Sequence, residues 1–221
     1  MVVGDAAEAW SKCDRVLVDH AAGTRLAVEA LLAAGRKKIL RVWTVQNTSW
    51  LDQRDTGYGQ ALAAAGVAPL PPLRIPEIPP RAFEPDASAF HVRSRQFAGF
   101  LVEHLRRDKI DALLLISDCD LFYASAACRL CGLKPGSDIL LAGFDNYWNL
   151  CWERALEPAV PFLTVDKRDH ACGAAMVQLL LDRLAHRLPP HPKTRWFEPK
   201  VIFPAGNAAD PAHALKKRIA T

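Results

Sequence analysis

Polar side chains gather just after three apolar runs of this sequence. After "RVWTV" come Gln46, Asn47, Thr48, Ser49 and Trp50, with Arg54 one helical turn beyond Trp50. After "ALLLI" come Ser117, Asp118 and Asp120, and after "ILLAGF" come Asp145, Asn146 and Trp148. Carboxylates accept hydrogen bonds from hydroxyls, amides both accept and donate, and a guanidinium forks onto sugar oxygens or carboxylates. An indole covers the apolar face of a sugar ring. The set suits a polyol or another small polar metabolite.

Each residue also has a plainer reading, which the sequence leaves open. Asp118 precedes a helix and could be its N-cap. Arg54 could be a solvated helix charge, and Trp50 and Trp148 could be core or interface aromatics. Asp145 is harder to dismiss, because a carboxylate closing a buried strand costs free energy unless partners meet it.

The elements that must position these residues follow from the pattern around them. "RVLVD" (15–19), "ILRVWTV" (39–45), "IDALLLIS" (110–117) and "SDILLAGF" (137–144) read as strands. Their apolar runs are continuous rather than alternating, as in a parallel sheet covered on both faces. "HAAGTRLAVEALLAAGRKK", "SWLDQRDTGYGQALAAAG", "SRQFAGFLVEHLRRDK" and "DLFYASAACRLCG" read as helices, the first two closed by Gly35 and Gly66. Strand and helix alternate over residues 15–145, which predicts a doubly wound α/β lobe with a parallel sheet. Ligands of such sheets sit outside the carboxyl ends of the strands, where these polar residues fall. The proline-rich segment 67–88 reads as an extended loop with at most a short edge strand. Beyond Asp145 the pattern loosens: "PFLTVDK" reads as a strand, "RDHACGAAMVQLLLDRLAHR" as a helix, "LPPHPKT" as a linker and "RWFEPKVIFP" as a last strand.

Composition narrows the classes. With 221 residues, half hydrophobic and 24% charged, the chain has the make-up of a globular protein with a sizeable core. Net charge is +4, part of it in the tail "HALKKRIAT", which gives no case for a nucleic-acid surface. "MVVGDAAEAW" lacks the basic flank and apolar stretch of a signal peptide. No apolar run approaches the roughly 20 residues of a membrane span. These features predict a cytoplasmic protein with no membrane partner.

The six cysteines are scattered, as thiols of a reducing compartment. Cys128 and Cys131 form a C-x-x-C, but no second pair or nearby His completes a zinc site, so they read as small apolar residues on one helical face. No metal and no cofactor is expected. Nor is catalysis: the sequence has no P-loop, no G-x-G-x-x-G after a strand, no G-x-S-x-G and no H-E-x-x-H. Asp118 and Asp120 do not make a carboxylate pair, since i and i+2 diverge at a helix start.

At the level of whole segments, "AGTRLAVEALLAAGRKKI", "RDTGYGQALAAAGV", "SDCDLFYASAACRLCGLKPGSDILLAGFDN" and "PFLTVDK" resemble, in order and spacing, the effector-binding region of LacI/GalR-type transcriptional regulators. The resemblance covers about residues 15–205 and implies a periplasmic-binding-protein-like fold. It implies that Arg54 is the effector-binding arginine and that Asp145 holds ligand hydroxyls. Ser117 and Asp118 stand where the family uses an Asn/Ser-Asp pair at the cleft mouth, and Trp50 falls on a pocket-facing position. The aromatic that stacks on the ligand ring maps to Phe83 or Phe90. "GFDNYWNLCWERALEP" is longer and more aromatic than the family pattern, so Trp148 and Trp152 are expected to reshape the pocket or a subunit interface.

The resemblance also implies a layout. Residues 1–19 and 160–188 would be a remnant of a first lobe, residues 20–150 and 195–206 a nearly whole second lobe, and 207–221 a tail. No helix-turn-helix pattern is present, so DNA contact is expected only through a domain outside this chain. With one jaw of the interlobe cleft reduced, the apolar faces of "LTVDK" and "AAMVQLLLDRL" should be exposed or covered by another chain. The function implied is a sensor: a small-molecule effector, a sugar or related polyol, acting on a homodimeric regulator. A solute-binding protein of a sugar transport system is the alternative on the same fold.

Overall fold

The computed structural model describes residues 1–4, 6–45, 48–75 and 85–204. In chain order its strands are β1 (Val2–Val3), β2 (Asp14–Val18), β3 (Ile39–Trp43), β4 (Leu73–Arg74), β5 (Ala112–Leu115), β6 (Leu140–Phe144), β7 (Leu163–Asp166), β8 (Thr194–Phe197) and β9 (Lys200–Ile202). Its helices are α1 (His20–Ala33), α2 (Ser49–Ala64), α3 (Ala87–Arg107), α4 (Asp118–Leu130) and α5 (Asp169–Leu184). Every residue of β3, β5 and β6 is buried. Strands buried on both faces need helices on both faces, and alternation of side chains along each strand divides the core accordingly. Ala112 and Leu114 pack with Leu31 of α1 and Leu62 of α2, whereas Leu113 and Leu115 pack with Phe97 of α3 and Phe122 of α4.

The result is a six-stranded sheet in the order β4-β3-β5-β6-β7-β9, parallel except for the β7–β9 pair. The expected α/β architecture and its helices are present. Asp19 caps α1 by accepting from the Ala22 amide at 2.8 Å, and Asp86 caps α3 through Ala89 at 3.0 Å. Gly35 and Gly66 follow α1 and α2 with φ of +83° and +65°, the left-handed stop that a residue without a side chain adopts at little cost.

A second sheet, β1-β2-β8, is parallel and three-stranded. It is covered by α5 through Val16, Cys172 and Leu179. One ionic knot ties it together: Arg183 of α5 donates to both carboxylate oxygens of buried Asp14 at 2.6 and 2.8 Å, and the Lys193 amide adds a third bond at 2.8 Å. That guanidinium holds the Asp14 carboxyl below the ordinary range.

Two details depart from the sequence reading. Residues 160–188 do not travel together: β7 lies in the six-stranded sheet and only α5 packs on the small one. "RWFEPKVIFP" is not one strand either. It breaks at Glu198 and Pro199 into β8 of the small sheet and β9 of the large one. Proline has no N–H to give a ladder, so the break falls there. The chain therefore passes between the sheets after β2, after β7 and after β8.

The expected exposure of apolar faces divides in the same way. Leu163, Thr164 and Val165 of β7 are buried, whereas α5 leaves Val177 59%, Leu181 50% and Leu184 68% exposed. Replacing Leu181 and Leu184 together by glutamine is expected to change folding stability by less than about 0.5 kcal/mol per site while lowering hydrophobic-dye fluorescence. A loss of several kcal/mol in urea titration would show instead that the stripe is packed. Among the described residues no helix is long and apolar enough to cross a membrane.

Candidate functional site

Strand β6 ends at Phe144, and the next two residues turn the chain with φ of +97° (Asp145) and +58° (Asn146). Side chains other than glycine rarely adopt these values, so the surroundings must impose them. The Asp145 amide donates to Val165 O at 2.8 Å and the Asn146 amide to Thr164 Oγ1 at 3.2 Å. Tyr147 and Trp148 amides both donate to Asp118 Oδ2, at 2.8 and 3.1 Å, and Thr164 Oγ1 donates to Asp118 Oδ1 at 2.8 Å. Asp118 is wholly buried under this loop, and burial pushes its carboxyl up to about 7 against those three bonds. Gly143 makes room for it, since a Cβ there would stand 2.1 Å from Asp118 Oδ1.

Asp118 is therefore not the N-cap, and it is buried behind the cavity and not part of its lining. Ser117 holds the N-cap position, and the Asp118 oxygens are occupied by the loop that carries Asp145. Asp120 diverges as expected. It accepts from Thr44 Oγ1 at 2.8 Å and from Arg93 Nη2 at 3.2 Å. Burial raises the Asp120 carboxyl, while Arg93 pulls it the other way. The Arg93 guanidinium also lies 4.8 Å from the centre of the Tyr123 ring.

Arg54 reaches the same space from α2. It is 2% exposed, so the reading as a solvated helix charge falls away. Its Nη1 donates to Ile116 O at 2.6 Å, its Nε approaches His20 Nδ1 at 3.5 Å, and its plane lies 3.6 Å from the Phe144 ring centre and 4.7 Å from that of Trp50. Burial lowers its pKa to about 10, with Asp145 acting in the opposite sense. His20 is driven down to about 3 by burial and by the cations Arg54 and Lys167, and is neutral at physiological pH. Lys167, the first residue after β7, pairs with Asp145 at 2.8 Å.

These groups line one cavity of about 550 Å³, a size suited to a small metabolite. It opens at the carboxyl ends of strands from both sheets: Gly4 and His20 follow β1 and β2, while Thr44, Ser117, Asp145 and Lys167 follow β3, β5, β6 and β7. Of the residues singled out in the sequence, the structure brings Arg54, Asp145, Ser117 and Trp50 together in its wall. Trp148 stands outside it, partly buried against the core with the Arg154 guanidinium 5.0 Å from its ring centre. Trp152 packs near Phe90, which is itself a core residue 5.1 Å from Tyr123. Phe83 lies outside the described residues.

Lining residues absent from the set drawn from the sequence include His20, Thr44, Arg93 and Lys167, and Asp120 stands in that set without a role. His20 and Lys167 follow β2 and β7, so the rule that polar residues collect after strands reaches them once it is extended beyond the large central strands. Arg93 gives no such signal, being one basic residue among several on α3.

Residues 28–203 match the periplasmic-binding-protein-like domain family, most of the chain. A comparison with curated proteins finds no match. Among solved structures, a LacI-family regulatory protein from Chloroflexus aggregans superposes with a TM-score of 0.73 at 22% identity, covering 94% of this chain and 68% of that one. The transcriptional regulator CelR in complex with cellobiose gives 0.70 at 21%, covering 91% of this chain and 57% of its own. A LacI-family regulator from Enterococcus faecium with bound ribose gives 0.67 at 18%, covering 91% and 67%. The chain thus spans little more than half the length of the cellobiose regulator, and at such identities the likeness is one of fold. Mostly parallel sheets flanked by helices, with a cavity where their strand ends meet, and the match over residues 28–203 together place the chain in the periplasmic-binding-protein-like domain family, with the fold of LacI-type effector-binding domains.

Proposed function

We propose that this domain is the ligand-sensing part of a LacI-type transcriptional regulator and that it takes a small polyhydroxylated effector. The observation that carries this reading is the convergence of Arg54, Asp145, Ser117 and Trp50 on one cavity. Arg54 and Ser117 donate to hydroxyl oxygens, Asp145 accepts from hydroxyls, and the Trp50 indole covers an apolar ring face. The cellobiose and ribose bound by fold neighbours support the same ligand class.

The wall combines residues after both sheets, so a ligand spanning it contacts Gly4, after β1 of the small sheet, as well as Arg54 or Asp145 at the large one. Such a ligand favours the arrangement in which the sheets close on it. In a dimeric regulator that preference shifts the population between DNA-competent and released states, with DNA held by a domain outside this chain.

A thermal-shift screen of pentoses, hexoses and disaccharides tests the reading. A binding sugar is expected to raise the midpoint, and Arg54→Ala or Asp145→Ala to weaken it by about tenfold or more, the loss typical of a hydrogen bond to a charged group. If both variants kept the full ligand-induced shift, the site would lie elsewhere.

A further inference from the structure

The charges of the described residues in the cavity wall do not balance. Among the described lining residues the cations are Arg54, Arg93 and Lys167, and the anions are Asp120 and Asp145. Arg93 pairs with Asp120 at 3.2 Å and Lys167 with Asp145 at 2.8 Å. Among the described residues Arg54 has no carboxylate at ion-pair distance, although it is 2% exposed. Its Nη1 is taken by Ile116 O and its Nε faces His20, a neutral acceptor, which leaves Nη2 without a hydrogen-bond partner among those residues. Buried cations are rarely left this way, because desolvating a charge is costly unless an opposite charge or a full set of acceptors replaces water.

We infer that the effector carries one negative charge: a sugar acid whose carboxylate seats against Arg54 while its hydroxyls meet Asp145 and Ser117. This rests on the cavity being the effector site as proposed above. A carboxylate matches the planar guanidinium better than a hydroxyl does, since it accepts through two oxygens and supplies the missing charge. One uncompensated cation calls for a monoanion, so a sugar phosphate, with its second charge, is the poorer fit. The Trp50 and Phe144 rings flank the guanidinium and keep water from the ion pair, which strengthens it.

Isothermal titration of the chain at pH 7.5 with matched pairs tests this: D-galactose against D-galacturonate, D-glucose against D-glucuronate and D-gluconate, with galactose 6-phosphate as the phosphate arm. The acid of at least one pair is expected to bind about tenfold to a hundredfold tighter than its neutral partner. Arg54→Gln should erase that preference, and Arg54→Lys should keep part of it. Lys167→Gln, at a partly exposed side chain, brings the wall to neutrality and should weaken the acid several-fold more than the neutral sugar. This variant remains informative if changes at buried Arg54 prevent folding. Tighter binding of neutral sugars, or of the phosphate, would overturn the inference and leave the proposed function standing. Absence of binding by every sugar and acid would remove both.

Discussion

Gly57→Ala is expected to destabilise the domain by about 3 kcal/mol or more, the upper part of the range for overpacking a tight contact. Helices α1 and α2 cross at this position, and a Cβ on Gly57 would stand 2.0 Å from the carbonyl oxygen of Ala21 and 2.9 Å from its carbon. Those are backbone atoms near the start of α1, so no side chain can rotate out of the way and one helix must move. The same helix contains its own control. A Cβ added at Gly59 would meet nothing within 4 Å, so Gly59→Ala should gain about 0.5–1 kcal/mol from helix propensity alone. Urea titrations of the two variants should therefore move in opposite directions. Two small losses of similar size would show that the helices tolerate separation.

Gly57 also bears on the cavity, through two residues of its lining. Arg54 lies on α2 one turn before it, and His20, which faces the Arg54 Nε, opens α1. Forcing the helices apart separates these two groups, so ligand affinity in Gly57→Ala should fall even where the variant is fully folded. This gives a physical content to the run "RDTGY" (54–58) within α2. Arginine brings its charge to the cavity wall and glycine sets the helix spacing. Tyr58 anchors α2 to the sheet, its hydroxyl donating to Ile39 O at 2.9 Å.

The features legible in the sequence are those that repeat along the chain. Continuous apolar runs announce buried parallel strands, and the polar residues at their ends include Arg54, Asp145, Ser117 and Trp50. What stays hidden depends on which sheet a short strand joins. β7 and β8 each have only four residues, and their local patterns fit either sheet, so pattern alone exchanges their places and passes over the strand-end residue Lys167. Asp118 is hidden differently. Its position at a helix start offers an N-cap as the obvious local role, whereas its partners are 29 to 46 residues away in sequence. Only the folded chain brings Tyr147, Trp148 and Thr164 to it.

Asp118 carries the second large expectation, which concerns pH. Burial raises its carboxyl from 3.8 to about 7, the donors from Thr164, Tyr147 and Trp148 offsetting only part of that cost. The unfolded chain loses this proton near pH 4, whereas the native protein keeps it until near pH 7, so the native state is the one that holds the extra proton between them. The resulting stability is complete below pH 4 and disappears as pH climbs from about 4 to about 7, a change of about 4 kcal/mol from this one group at 1.36 kcal/mol per unit. Asp118→Asn mimics the protonated form, and its amide oxygen still accepts from the two loop amides. The difference in stability between the wild type and Asp118→Asn, measured by urea titration at pH 5 and pH 8, should therefore shift in favour of the variant at the higher pH. Asp118→Ala should be severely destabilised at both pH values, by about 3 kcal/mol or more, because it strands two buried amides and a hydroxyl. A difference between wild type and Asp118→Asn that stayed constant across this range would mean that the carboxylate is ionised in its buried site, held there by the three donors, and that the loop carrying Asp145 is clamped by a charge and not by a neutral acid.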